Sequence, residues 1–144
     1  MHISTRCSIA LHCLIFIQEY GGRKRVTSEL LSLSAGCNPV TIRGILSALR
    51  KAGILSAGSG AGGAVLACPP EQVSLCRVWM AVEPDMLAKL IGMHGAPSPL
   101  CPVGRHIHAV LDRSYGKIRG DLKASLESVT LADIMADYRR AALE

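Results

Sequence analysis

Apolar residues recur at helical spacing over most of this chain, and alternating, strand-like patterning is confined to one short stretch. Residues 4 to 19 place Ile9, Cys13, Phe16 and Ile17 along one side of a first helix, with Leu11, Leu14 and Ile15 widening that face. Gly21-Gly22 ends it, and Arg23-Lys24-Arg25 forms an exposed basic link. Thr27 is placed to cap a second, short helix over residues 28 to 34, with Glu29 in its first turn, where a carboxylate suits the helix dipole. After Ala35-Gly36, Asn38 and Pro39 open a third helix as N-cap and first helical residue. Its inner stripe is Ile42, Ile45, Leu46 and Leu49, and it stops at Gly53.

Beyond Gly53, Ile54-Leu55-Ser56-Ala57 and Ala64-Val65-Leu66-Ala67 flank a glycine-rich turn, which predicts a β-hairpin. Residues 58 to 63 match G-x-G-x-x-G, but a dinucleotide loop needs a helix directly after it to meet the pyrophosphate. A second strand and Cys68-Pro69-Pro70 follow instead, so that reading fails. Ser74 caps a helix over residues 75 to 82 that buries Leu75, Val78, Trp79 and Val82; a further helix is predicted over 85 to 92, then a loop rich in Gly and Pro. Pro102 starts the longest helix, to Ser128. Its stripe of Ile107, Leu111, Tyr115, Ile118, Leu122, Leu126 and Val129 steps by three and four residues, as in a coiled coil. That stripe fits either a two-fold partner or packing against the first helix. Thr130 to Asp133 resembles a capping box before a last helix over 131 to 142.

Two short helices joined by a tight glycine turn make a helix-turn-helix, and a hairpin directly after the second helix makes a wing. The outer side of that second helix carries Val40, Thr41, Arg43, Gly44, Ser47 and Lys51, small at its start and basic along its length. A helix entering the major groove needs this profile, because bulky groups near its N-terminus would hold the backbone off the base edges. Charge agrees. The net charge is +5, and all of it lies in residues 1 to 51, where seven Lys/Arg face Glu19 and Glu29; residues 52 to 144 are neutral. A basic head on a neutral remainder suits an anionic partner, double-stranded DNA before others.

Composition bounds the rest. At 144 residues with 49% hydrophobic content, the chain can bury a real core, and some apolar surface is expected to lie between subunits. Aromatics at 3% are too few for a single-strand stacking platform. The apolar run from Cys7 to Ile17 is too short to span a membrane and lacks signal-peptide flanks, so a cytoplasmic location is expected. The six cysteines contain no C-x-x-C, which argues against a zinc ribbon or thioredoxin-like pair, and no metal site is expected. No carboxylate pair or nucleophile–base set marks an enzyme, and His94, His106 and His108 read as loop or surface residues.

Taken together, Ile3-Ser4-Thr5-Arg6, Asn38-Pro39-Val40-Thr41-Ile42-Arg43, Leu49-Arg50-Lys51-Ala52-Gly53-Ile54-Leu55, Gly60-Ala61-Gly62-Gly63-Ala64 and Ala81-Val82-Glu83 closely resemble the Rrf-two family of bacterial winged-helix regulators. The resemblance covers nearly the whole chain. It implies a dimeric repressor with residues near 39 to 51 in the major groove, the wing at the minor groove, and the long helix crossing its partner. Cluster-binding relatives carry three closely spaced cysteines before that helix. Here Glu83 to Arg105 holds only Cys101, so no iron–sulfur centre or other cofactor is expected, and Cys101-Pro102-Val103-Gly104 resembles the cluster-free branch. The wing position usually filled by Arg is Ser59, which weakens the expected minor-groove contact.

The expected architecture is therefore mainly α with a small hairpin wing: a winged helix-turn-helix over 1–70, then a helical linker and dimerisation or sensor region over 71–144. Expected DNA contacts are Arg6, Lys24, Thr27, Asn38, Pro39, Val40, Thr41, Arg43, Gly44, Ser47, Arg50, Lys51, Ser59 and Gly60, with Arg6 and Lys24 on outer phosphates. The homodimer would use Ile107, Leu111, Tyr115, Ile118, Leu122 and Leu126. Cys37 and Cys101 stand at helix starts, where thiolate is favoured, and are candidate redox sensors; Cys7, Cys13 and Cys76 read as core. A second reading keeps the dimeric fold but has it dock on a metabolic enzyme, with the missing wing Arg as its support.

Overall fold

The computed structural model describes residues 4–59 and 63–144. Among them the order is α1 (Arg6–Tyr20), α2 (Ser28–Ala35), α3 (Pro39–Lys51), β1 (Leu55–Ala57), β2 (Ala64–Leu66), a 3-10 turn at Pro70–Gln72, α4 (Leu75–Val82), α5 (Met86–Leu90), α6 (Pro102–Ser128) and α7 (Leu131–Ala141). Side-chain caps fix four of these starts. Thr27 Oγ1 accepts from the Leu30 amide, Asn38 Oδ1 from Val40, Ser74 Oγ from Arg77 and Thr130 Oγ1 from Asp133, whose carboxylate returns the bond to Thr130. Each cap satisfies an amide that the helix itself leaves unpaired. Gly36 closes α2 at φ 66°, a left-handed conformation natural to glycine, and turns the chain into α3.

One core joins both ends of the chain. It contains Cys7, Ala10, Cys13, Leu14 and Ile17 of α1, Ile42, Ile45, Leu46 and Leu49 of α3, Val78 and Val82 of α4, and Leu131 and Met135 of α7. The hairpin sits on it through Ile54, Leu55 and Ala64. Its strands are antiparallel with Leu55 opposite Leu66 and Ala57 opposite Ala64, and the Gly58 amide donates to the Gly63 carbonyl at 2.9 Å. A smaller cluster of Cys76, Met86 and Leu126 ties α4 and α5 to the C-terminal part of α6.

Three expectations shift. In α1 the buried face is rotated from the Ile9/Phe16 stripe onto Cys7, Ala10, Cys13, Leu14 and Ile17, with Ile9 and Phe16 half-buried. That helix is apolar on nearly every side, so periodicity could not choose its inner face. The helix expected over 85 to 92 is only Met86–Leu90, since Ile91 is already extended. The 3-10 turn at Pro70–Gln72 was not legible behind Pro69-Pro70. Along α6, Ile107, Leu111, Tyr115 and Leu122 are half-covered, Ile118 is 46% exposed, and Leu126 is spent inside the chain against Cys76 and Met86. No helix among the described residues is long and apolar enough to cross a membrane.

Candidate nucleic-acid interface

The helix-turn-helix presents what its pattern promised. Ile42, Ile45 and Leu49 are fully buried, which turns Val40, Arg43, Gly44, Ser47, Arg50 and Lys51 outward. Val40 is 65% exposed, an apolar side chain on the leading turn of α3 where it can meet a thymine methyl. Thr41 and Pro39 are half-buried, so they contribute edges rather than whole side chains. Asn38 and Thr27 are occupied as caps, through the Asn38 Oδ1 and the Thr27 Oγ1.

A groove of about 480 Å³ runs between the start of α2, α3 and the hairpin. Arg25, Arg43 and Arg50 line it together with Thr27, Ser28 and Glu29. Three guanidinium groups beside the N-terminal amides of α2 make this the most anion-favouring concavity of the head. Glu29 Oε1 lies 3.6 Å from Arg43 Nη1, both groups well exposed, so the pair is weak and open to exchange with a stronger acceptor. Arg25 is the residue the sequence reading passed over; its place immediately before buried Val26 and the Thr27 cap was the available signal.

Other expected contacts lie elsewhere. Arg6 Nε donates to the Val82 carbonyl at 3.2 Å and lines a separate groove with Trp79 and Met86, so it is anchored to the end of α4. Lys24 Nζ sits 5.5 Å from the Phe16 ring centre and 5.6 Å from that of Tyr20, a cation–π pairing on the outer side of α1. Ser59 is exposed on the hairpin, and Gly60 lies outside the described residues.

The thiols divide by environment. Burial, and after it the charge of Glu83, pushes Cys7 up to about 11; burial, and after it the neighbouring Cys37, pushes Cys13 up to about 12. Cys101 is exposed at the N-cap of α6. It makes no cap hydrogen bond of good geometry, yet the amides of Gly104 and Val103 face its sulfur and hold it below its ordinary value. Gly104 is required there, because a Cβ would collide with the Ser98 carbonyl oxygen. Cys37 is half-buried, packed against the core beside Cys13 rather than standing in the cap.

The profile of the Rrf2 family, described as an iron-dependent transcriptional regulator, matches residues 3–137. This chain belongs to the Rrf2 family. It is 34% identical over 133 residues to a Bacillus subtilis protein provisionally named HTH-type transcriptional regulator YwnA, covering 92% of this chain and 96% of that one. Among solved structures it is similar to a Lactobacillus plantarum protein provisionally named a transcriptional regulator, at 26% identity, covering 95% and 91% of the two chains, with a TM-score of 0.75. The cysteine regulator CymR of B. subtilis shares the fold at 20% identity, 94% and 97% coverage and a TM-score of 0.67. The Rrf2 winged-helix fold is thus established, and membership makes the chain a transcriptional regulator rather than an enzyme.

Iron implied by the family description does not fit the donors present. No group of three or more Cys, His, Asp or Glu among the described residues could hold a metal ion. Two turns along α6 from Cys101, His108 Nε2 is already engaged, donating to the His94 carbonyl at 2.9 Å, with the two rings edge to face.

Proposed function

We propose that this Rrf2 member is a homodimeric, sequence-specific DNA-binding repressor acting in the cytoplasm. The observation that carries it is the outer face of α3: small side chains at its start, with Arg43, Arg50 and Lys51 exposed beside the Arg25 groove. In this reading α3 enters the major groove, Arg43 reaches a base edge, and Arg25, Arg50, Lys51 and the start of α2 hold phosphates. The half-covered stripe of Ile107, Leu111 and Tyr115, widened by exposed Val103, Val110 and Ile118, supports pairing of two chains through α6.

Binding of the protein to its own promoter region, followed by fluorescence anisotropy at several salt concentrations, tests the reading. Arg43→Ala should lose about 1–3 kcal/mol on the bound site and little on random duplex if it reads a base. A loss equal on all sequences and steep in salt would assign it to phosphate. No binding at low salt would reject the repressor and favour docking on a metabolic enzyme, the role that Ser59 in place of a wing Arg supports.

As input we propose oxidation of Cys101, through a disulfide to Cys37 of the second chain. A peroxide would accept the two electrons and leave as water while the two thiols lose their protons. Electrophoresis without reductant should show a linked dimer after mild oxidation; its absence, or its persistence in Cys101→Ser, would reject the pairing.

A further inference from the structure

Arg77, on α4, makes more polar contacts than any function discussed so far accounts for. Its Nη2 donates to the carbonyls of Ala52 and Gly53, each at 3.2 Å, and its Nη1 to the Gln72 carbonyl at 3.3 Å and the Cys68 sulfur at 3.4 Å. Ala52 is the C-cap of α3 and Gly53 the residue after it, so both carbonyls stand at the negative end of that helix, where a cation is favoured. Cys68 and Gln72 belong to the segment leaving β2. One guanidinium therefore binds the end of α3 to the exit of the hairpin. These are charge-assisted bonds in a fork, a geometry lysine cannot reproduce.

The neighbours of Arg77 give the fork a rigid base. Cys76 is buried in the cluster that includes Met86 of α5 and Leu126 of α6, and Val78 is buried in the main core. At the start of α4, the Leu75 amide donates to the Val129 carbonyl at 2.8 Å, and two residues earlier the Val73 carbonyl accepts from the Leu131 amide at 2.7 Å, fastening this segment to the junction of α6 and α7. A single turn of α4 thus touches the long helix, the core and, through Arg77, the base of both α3 and the wing.

We propose that Arg77 is a positioning residue for sequence recognition, setting the reader helix and wing against the long-helix half of the chain. It touches no DNA in this proposal, which rests on the DNA-binding reading above. Its action is on the angle and register of α3, which direct base contacts require and phosphate contacts tolerate. The same fork gives a shift of α6 a direct path to the end of α3.

The test uses the full chain and its Arg77→Met and Arg77→Lys variants. The probes are the duplex that the wild type enriches from a random-sequence library, and random duplex itself. Arg77→Met should keep most of its affinity for random duplex, because Arg25, Arg43, Arg50 and Lys51 remain. It should lose about tenfold or more on the enriched duplex, and Arg77→Lys should recover part of that. Hydrogen exchange without DNA should quicken in Arg77→Met at the Gly53, Ile54 and Ala67 amides while α1 stays protected. An unchanged ratio between the two duplexes overturns the proposal, whether exchange quickens locally or across the whole molecule. If the wild type enriches no duplex, the DNA-binding reading fails separately. The exchange measurement then decides the fork alone: unaltered rates at Gly53 and Ile54 overturn it.

Discussion

The difference between a core thiol and a candidate sensor thiol is, residue by residue, a difference in where the sulfur's neighbours come from. Cys7 and Cys13 are surrounded by side chains of the main core, whereas Cys101 faces two backbone amides and water. Thiolate is the reactive form. We therefore expect iodoacetamide at pH 7.5 to label Cys101 first and to leave Cys7 and Cys13 untouched until the chain is denatured, as read by peptide mass spectrometry. The raised pair carries a second consequence. Their folded values of about 11 and about 12 lie above the ordinary 9, so their stabilising contribution is complete below pH 9. It is lost as pH rises from there through the folded values, and urea midpoints should fall over that alkaline window. A Cys7→Ala, Cys13→Ala variant should show a smaller fall. The sequence revealed which cysteines lie in apolar helical patterns, but not that Cys37 leans on Cys13 rather than on the cap.

At the scale of elements, helix starts were the most legible feature, because a cap is a local transaction between one side chain and an amide two or three residues on. Thr27, Asn38, Ser74 and Thr130 all cap where the sequence placed them. We expect Thr130→Ala to cost about 1 kcal/mol in chemical denaturation, with Thr130→Ser close to wild type. The Asp133 carboxyl is held below its ordinary value by the Thr130 amide and then by the Thr130 hydroxyl. Its share of the box is therefore present above the usual carboxylate range and lost as pH falls through its folded value. What the sequence could not show were relations between distant elements. Arg6 and Arg77 look like any other exposed arginines until the end of α4 and the end of α3 are set beside them. Nor could charge alone show that Lys24 lies over aromatic rings while Arg25, its neighbour, lines the groove.

For the whole molecule, the stripe on α6 was legible as a period but not as a division of labour. Its C-terminal end serves the chain's own packing, and its middle is only half-covered within the chain. Leu126→Ala should therefore cost about 2–5 kcal/mol of stability, as for a filled core position, without changing the assembly state at native conditions. Leu111→Asp should barely alter the melting of the single chain, yet shift the molecular mass in sedimentation from two chains to one. A mass of one chain in the wild type would reject pairing through α6. The main core draws on both halves of the chain, since Val73, Val78, Leu131 and Met135 share it with residues of α1 and α3.

The return of α7 to α1 has a consequence for how the protein is made. Tyr20 and Tyr138 share a hydrogen bond at 3.2 Å, Arg139 bonds Glu19, and Leu131 and Met135 complete the hydrophobic interior. A ribosome adds residues one at a time and shields the newest ones in its tunnel. The side of α1 that α7 covers, finished early in synthesis, therefore waits uncovered until residues 131 to 141 have left the tunnel. The core is accordingly completed only after α7 has emerged, and the nascent chain is most exposed to chaperones and proteases during that interval.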